Sequence, residues 1–428
     1  MKTVIHYKKT FSITAFIWAF YFFSTAQNIP DAASVYPTGS TPAFLPSNFT
    51  SGIKVNYVRS TSPKTPVTSE ANLQPEDYDL TKVKTQYFDG LGRAIQTVDH
   101  FATPQHNDLV SVTTYDNLGR DAWHFLPYSK TESAASDNGK FKLTAYSDQK
   151  NFYKYTLGYT SDNYFYTQTD YEASPLNRVI KALPQGSSWV GANRGTTITE
   201  NPLPAGAGVR VFTIYYTPGS LPDQNGTYAA GDLMVRTTTD EDGYFTEEYT
   251  TKDNLLVLKA TGKTGNPAKL LTYYVYDDFG LLRFVIPPKA TAWLAANYWN
   301  FPNQSTANGL CFSYEYDGRS RLIHKTLPGA GEEWMVYNPK DELIFKQTPN
   351  GSNMAAWEFY KYDVLGRLIQ SGEYYDYHVN PSQATMQNYA NGGYTGSDPF
   401  MQYMFSDVYG TASYVNTFTY AKVYTTNY

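Results

Sequence analysis

One short motif recurs along the chain and constrains the fold more than any other feature. It begins with Tyr-Asp, continues through two or three variable residues that often include Gly, and ends at Arg. It stands as Tyr115-Asp116-Asn117-Leu118-Gly119-Arg120 and Tyr362-Asp363-Val364-Leu365-Gly366-Arg367, and with one extra residue as Tyr87-Phe88-Asp89-Gly90-Leu91-Gly92-Arg93. Looser copies are Tyr276-Asp277-Asp278-Phe279-Gly280, ending at Arg283, and Tyr316-Asp317-Gly318-Arg319-Ser320-Arg321. Decayed copies start at Tyr171-Glu172, ending Asn177-Arg178, and at Tyr337-Asn338-Pro339-Lys340-Asp341. Several neighbouring copies lie roughly 20 to 40 residues apart, the range of stacked repeat units. A second landmark follows several copies in phase, an apolar residue and then Pro: Leu126-Pro127, Leu183-Pro184, Ile286-Pro287 and Leu327-Pro328.

The chemistry of the motif is that of a hairpin. Tyr ends an alternating strand such as Val112-Thr113-Thr114-Tyr115. Asp bonds turn amides two residues on, and Gly takes the positive-φ position that strains other residues. Arg opens the return strand, placed to pair with the Asp or to lie across a Tyr ring. Pro then limits how far pairing continues. Such strand-turn-strand units become stable when stacked on neighbours.

Composition agrees. The 428 residues include 40 Tyr, 24 Phe, 30 Gly and 24 Pro, and 17% are charged, against roughly 25% in an average soluble protein. Tyr suits a half-buried pleated surface. The expected fold class is therefore all-β, tandem hairpins in a continuous sheet. The strong turn signal Asp242-Gly243 lies in a plainer hairpin between the repeats, Thr237 to Thr246. Helix is expected at Pro288 to Asn300, with Trp293, Leu294 and Ala296 toward a sheet, and as a short turn after Pro381.

The amino terminus reads as a secretory signal peptide over residues 1–26. Lys2, Lys8 and Lys9 precede the apolar run Phe11 to Phe23, and Ser24-Thr25-Ala26 forms a cleavage site before Gln27. That run is too short for a membrane span, which needs about 20 apolar residues. Residues 27–80 form a Pro/Ser/Thr-rich lead-in, 81–428 the repeat portion, and 185–226 an insertion loop within it. Export with a lone Cys311 leaves stability to apolar burial rather than to disulfides, and Cys311 reads as an inert buried thiol. A net charge of −5 and pI near 5.7 supply no basic patch for nucleic acid.

The motifs resemble those of the Rhs/YD-repeat family, which includes teneurin-like shells and the shell component of insecticidal toxin complexes. Val55-Asn56-Tyr57-Val58-Arg59, leading into Gln86 to Arg93, is similar to the amino-terminal part of Rhs-repeat proteins of Bacteroidota type. The resemblance covers about residues 50 to 428 and implies a sheet that spirals into a hollow shell. That shell would enclose a carboxy-terminal toxin or effector segment, or display a variable tip at the cell surface. Asp398-Pro399-Phe400 shares only a dipeptide with the family's autoproteolytic core and lacks its glycines, and the chain stops at Val423 to Tyr428 as a strand cut within a repeat. The reading is thus an incomplete, truncated shell portion, secreted or at the cell surface, whose partners are the effector segment or the remaining shell repeats. The rival reading is an adhesin or carbohydrate-binding β protein that meets surface glycans through exposed Tyr.

Chemistry is absent from the motifs. His100 and His106 lack further ligands at zinc spacing and read as exposed loop residues. No nucleophile elbow occurs, and Gly206-Ala207-Gly208 lacks the third glycine of a dinucleotide loop. Setting Gly243 at position six of a calcium loop puts Thr238 and Tyr249 where acids are required. Glu332 and Glu333, beside Trp334, would point to opposite faces of a strand and so cannot line one glycosidase site. No catalytic, cofactor or metal site is expected, and the recurring acids and arginines read as structural.

Overall fold

The computed structural model describes residues 48–66, 69, 79–131, 139–215, 217, 219–301, 303–349, 356–375, 381–405 and 421–425. The signal-peptide reading, most of the lead-in and residues 426–428 lie outside them. The fold is all-β and antiparallel at every pairing given below, with a few short helices. From residue 48 to 204 the strands are β1 (Asn56–Pro63), β2 (Thr81–Phe88), β3 (Ala94–His100), β4 (Asp108–Tyr115), β5 (Asp121–Phe125), β6 (Tyr128–Lys130), β7 (Tyr166–Tyr171), β8 (Val179–Leu183) and β9 (Thr196–Pro202). Residues 205–267 add β10 (Arg210–Thr213), β11 (Asp223–Thr227), β12 (Met234–Thr239), β13 (Tyr244–Thr250) and β14 (Leu256–Lys263). The remainder holds β15 (Leu270–Tyr276), β16 (Leu282–Ile286), β17 (Phe312–Tyr316), β18 (Leu322–Leu327) and β19 (Gly331–Tyr337). It ends with β20 (Leu343–Gln347), β21 (Ala356–Tyr362), β22 (Leu368–Tyr375) and β23 (Ala421–Thr425).

The chain divides into two compact units. The first comprises residues 1–204, 234–247 and 262–267, and the second residues 205–233, 248–261 and 268–428. In the first unit β1 through β4 pair in sequence order. β4 then splits its pairing: Thr113–Tyr115 meet β5 while Asp108–Val110 meet β6. β5, β7, β8, β9 and β12 continue the ladder. Strict alternation buries Val83, Thr85 and Tyr87 of β2 and Val110 and Val112 of β4 on one face, as period-2 geometry requires. Tyr87, Ile95, Val98, Val110, Val112 and Tyr128 form one core, and Trp123, Tyr166 and Leu183 part of another. Each such side chain contributes about 1.5–3 kcal/mol when fully buried. A helix that the sequence reading missed, α1 (Ala145–Asn151), places Ala145 in the first core.

In the second unit β14 through β22 pair in order, and β23 adds to β22. β10 and β11 form a separate hairpin. The core gathers Phe345, Trp357, Phe359 and Tyr374 from the sheet. Of the helices α2 (Pro288–Ala296), α3 (Gln304–Leu310), α4 (Gln383–Asn388) and α5 (Pro399–Met404), α4 and α5 pack against it through Met386, Phe400, Met401 and Met404. The helix expected at Pro288 forms, and Leu294 is buried in it, but Ala296 is exposed and Trp293 half-buried against Phe301. Ala290 and Thr291 take the inward positions instead. The turn expected after Pro381 is α4, capped by the Ser382 hydroxyl accepting from Thr385 N–H at 3.2 Å.

Residues 185–226 are more than an insertion loop. β9 lies within them and pairs on both sides, and β10 with most of β11 follows, because Thr196 to Thr199 supply β-branched side chains after the Gly195 break. The lead-in likewise carries β1, paired with β2 over eight residue pairs. Asp398-Pro399-Phe400 is a helix start: Asp398 accepts from Phe400 N–H at 2.9 Å and from the Tyr374 hydroxyl at 2.8 Å, while Pro399 occupies the first turn.

Candidate functional site: the Tyr-Asp turns

Every intact copy of the motif folds into the same five-residue turn. In the copy at Asp89 the Asp N–H donates to Arg93 O at 2.9 Å and the Gly92 N–H to Asp89 O at 3.1 Å. The Asp89 carboxylate accepts from the Leu91 and Arg93 amides, each at 2.9 Å, and from Arg93 Nε at 2.8 Å. Gly92 sits at φ +77° and the register shifts by a bulge between Tyr87 and Phe88. This is a type I turn closed by a left-handed residue and a G1 bulge. Asp116/Arg120, Asp317/Arg321 and Asp363/Arg367 repeat it, each with an Arg Nε to Asp Oδ2 bond of 2.7 Å. Gly119 and Gly366 hold the positive-φ position at +79° and +75°, and Ser320 replaces Gly there at +61°.

The looser copy at Tyr316 repeats the intact turn; the one at Tyr276 and the decayed copies at Tyr171 and Tyr337 keep a turn and change its length or chemistry. At Tyr276 the backbone bond joins Asp277 N–H to Leu281 O at 3.0 Å with Gly280 at φ +74°. Leu281, and not Arg283, therefore fills the Arg position. Arg283 reaches back from β16, its Nη1 3.5 Å from Asp277 Oδ2, while its Nε donates to Tyr314 O at 2.9 Å. At Tyr171 the turn is two residues longer, and Arg178 donates to Glu172 Oε2 from Nε and Nη2 at 2.9 and 2.7 Å. At Tyr337 the charge is reversed: Asn338 caps the amides and Glu342 stands in the Arg position.

Three further turns share this backbone and were not legible as copies. Asp240 caps Asp242 and Tyr244 N–H with Gly243 at +81°. Thr251 and Thr103 each accept from the amide four residues on, with Asn254 and His106 at positive φ. None of the three carries Arg in the fifth position.

The motif side chains also join neighbouring hairpins. The Arg93 guanidinium lies 4.5 Å over the Tyr115 ring, Arg120 4.8 Å over Tyr171, and Arg321 4.9 Å over Tyr337. Each tyrosine hydroxyl returns a bond to the carbonyl just after the preceding turn. Tyr115 donates to Ala94 O at 2.9 Å, Tyr171 to Asp121 O at 3.3 Å, Tyr316 to Leu282 O at 3.0 Å and Tyr337 to Leu322 O at 2.8 Å. Cation–π contact adds about 0.5–1 kcal/mol at exposed positions, and a hydroxyl bond about 0.5–1.5 kcal/mol net. Burial pushes Asp89, Asp116 and Asp317 up, but the turn amides and the paired guanidinium outweigh it and hold all three below the usual carboxylate range. Burial pushes the Tyr115, Tyr171, Tyr316 and Tyr337 hydroxyls up.

Compared with known proteins, residues 59–202 match the domain of unknown function DUF6443. No curated protein matches the chain. Among solved structures, a TcdB2-TccC3-TEV crystal structure is 16% identical at TM-score 0.44, over 73% of this chain and 14% of that one. A Photorhabdus luminescens Tc holotoxin pore with a substitution in TccC3 is 15% identical at TM-score 0.41, again over 73% and 14%. The chain thus spans about a seventh of the length of the structures it matches.

The remaining candidate groups have structural partners. His100 is not in an exposed loop: it closes β3, and its Nδ1 lies 3.1 Å from Asp108 Oδ1. The fully buried Asp108 also accepts from Lys142 Nζ at 2.7 Å and Gly139 N–H at 2.6 Å. His106 is exposed, in its turn. Glu333 bridges Lys325 and Lys346 at 2.9 and 3.2 Å, whereas Glu332 faces His324, which stacks on Trp334 with centroids 3.6 Å apart. Cys311 is buried, and burial pushes its thiol up to about 12.

Proposed function

We propose that the chain is an exported structural scaffold, a portion of an Rhs-type shell that encloses or displays a carboxy-terminal effector or toxin segment, and that it performs no catalysis of its own. The observation that carries this reading is the clamp between successive turns, in which Arg93, Arg120 and Arg321 lie on the next tyrosine while holding their own aspartate. Acids and bases engaged in this way hold hairpins together. In the described residues no helix is long and apolar enough to cross a membrane.

Limited proteolysis of the full-length gene product, read by mass spectrometry, tests the reading. A segment outside the ladder is expected to resist protease in the folded protein and to be cut once Asp116→Ala with Arg120→Ala loosens the turns. Equal cutting of every such segment before and after that change would overturn the shell. Saturable binding on a glycan array, lost on changing exposed tyrosines outside the turns, would favour the adhesin.

A further inference from the structure

The junction between the turn at Asn338 and Tyr362 departs from those at Tyr115, Tyr171 and Tyr337. Its backbone is the same, with Asn338 N–H donating to Glu342 O and Glu342 N–H to Asn338 Oδ1, each at 3.0 Å. Where three other junctions put a guanidinium over the next tyrosine, this one brings up the Glu342 carboxylate. Its location corresponds: a Cβ placed on Gly366 would meet Glu342 Oε1 at 3.3 Å, as one on Gly119 would meet Arg93 Nη1 at 3.2 Å. Glu342 Oε2 accepts from Asn338 Nδ2 at 2.6 Å. An aromatic face carries negative charge density, so the carboxylate beside it in the cleft gains nothing from the ring. Among the described residues no cation stands over Tyr362.

Glu342 and Tyr362 line one cleft of about 340 Å³, with Ile344, Met404 and Phe405 as apolar wall. Two lysines also border it: Lys340 is exposed on the turn itself, and the Lys361 ammonium donates to the carbonyls of Tyr403 and Met404 at 2.9 and 3.2 Å and lies 4.9 Å over the Tyr403 ring. An ammonium held in that way does not neutralise Glu342. The cleft therefore offers a carboxylate, a tyrosine ring and an apolar wall together.

We propose that this cleft binds a guanidinium carried on an aliphatic stem, as in arginine, which supplies from a ligand the charge that the motif arginine supplies at three other junctions. Its planar fork would donate to Glu342 and its face would lie on Tyr362, while the stem runs along Ile344, Met404 and Phe405. A guanidinium suits this place better than an ammonium because it is planar, weakly hydrated and stacks on aromatic rings. The inference is independent of the scaffold reading, since it concerns one junction only.

Calorimetric titration of the full chain with N-acetyl-arginine amide tests it, with the uncharged N-acetyl-citrulline amide as the shape control. Saturable binding of the arginine probe is expected, with the citrulline probe at least about tenfold weaker. Glu342→Gln should weaken the arginine probe by a similar factor without altering the melting curve. Asn338→Asp with Glu342→Arg, which restores the repeated turn, should abolish binding in a protein at least as stable as the parent. Equal binding of the two probes, unchanged binding in both variants, preference for an acetate probe, or no saturable binding at millimolar probe would each overturn the proposal. Tighter binding by agmatine would assign a small molecule as the source of the group, and tighter binding by an acetylated Arg peptide a protein segment. Both uphold the site.

Discussion

At the residue scale, the motif glycines are fixed by backbone angle before they are fixed by space. Gly119 at φ +79° is the more demanding, because an added Cβ would also meet the Arg93 guanidinium at 3.2 Å, whereas Gly92 has nothing within 4 Å. Gly119→Val should therefore destabilise the first unit by about 1 kcal/mol or more, and by more than Gly92→Val; chemical denaturation of the two variants compares them directly. Cys311 gives a second residue-scale expectation. Full burial and a thiol pushed up to about 12 leave little thiolate near neutral pH. A maleimide reagent should leave the native protein unlabelled and react only after unfolding; native labelling at the unfolded rate would contradict the placement. The role of Tyr and Arg inside each turn was readable from spacing alone. What the spacing did not give is that Arg serves two partners, its own Asp and the next Tyr.

At the element scale, the intact copies were legible because Asp, Gly and Arg each have one job in a five-residue hairpin loop. Legibility failed where the backbone kept the job and the side chain changed. Thr251 and Thr103 cap with a hydroxyl, Asn254 and His106 take the left-handed position, and Tyr244 stands where Arg would. Leu281 occupies the Arg position while Arg283, two residues later, supplies the charge from the strand. Helices were harder still. Residues 145–151 mix Ala, Tyr, Ser, Asp, Gln, Lys and Asn without a clear apolar period, so packing against the first core rather than propensity sets α1. The turn carboxylates make a pH expectation. Asp89, Asp116, Asp317 and Asp363 are held below their unfolded values, so their stabilisation is present above the unfolded pKa of about 3.9 and is lost as pH falls through the lower folded values. The melting temperature should be flat between about pH 5 and 7 and fall below about pH 4. A variant with Asp116→Asn and Asp317→Asn should show a shallower fall, and an equally steep one would remove the turns from the explanation.

At the scale of the whole molecule, each hairpin has one apolar face and depends on its neighbours, so stability resides in junctions as much as in units. Three junctions repeat one device, a guanidinium on the next ring and that ring's hydroxyl on the previous carbonyl, and the departure at Glu342 lies where a cleft opens. On the proposed reading, the repeated acids and bases of such a molecule serve its own cohesion. The most direct test of that claim is a double-mutant cycle on Arg120 and Tyr171, the pair 4.8 Å apart across one junction. Unfolding free energies of the parent, Arg120→Gln, Tyr171→Leu and the double variant should yield a coupling of about 0.5–1 kcal/mol. Additivity within about 0.3 kcal/mol would contradict the account, because the turns would then stand beside one another without holding their neighbours.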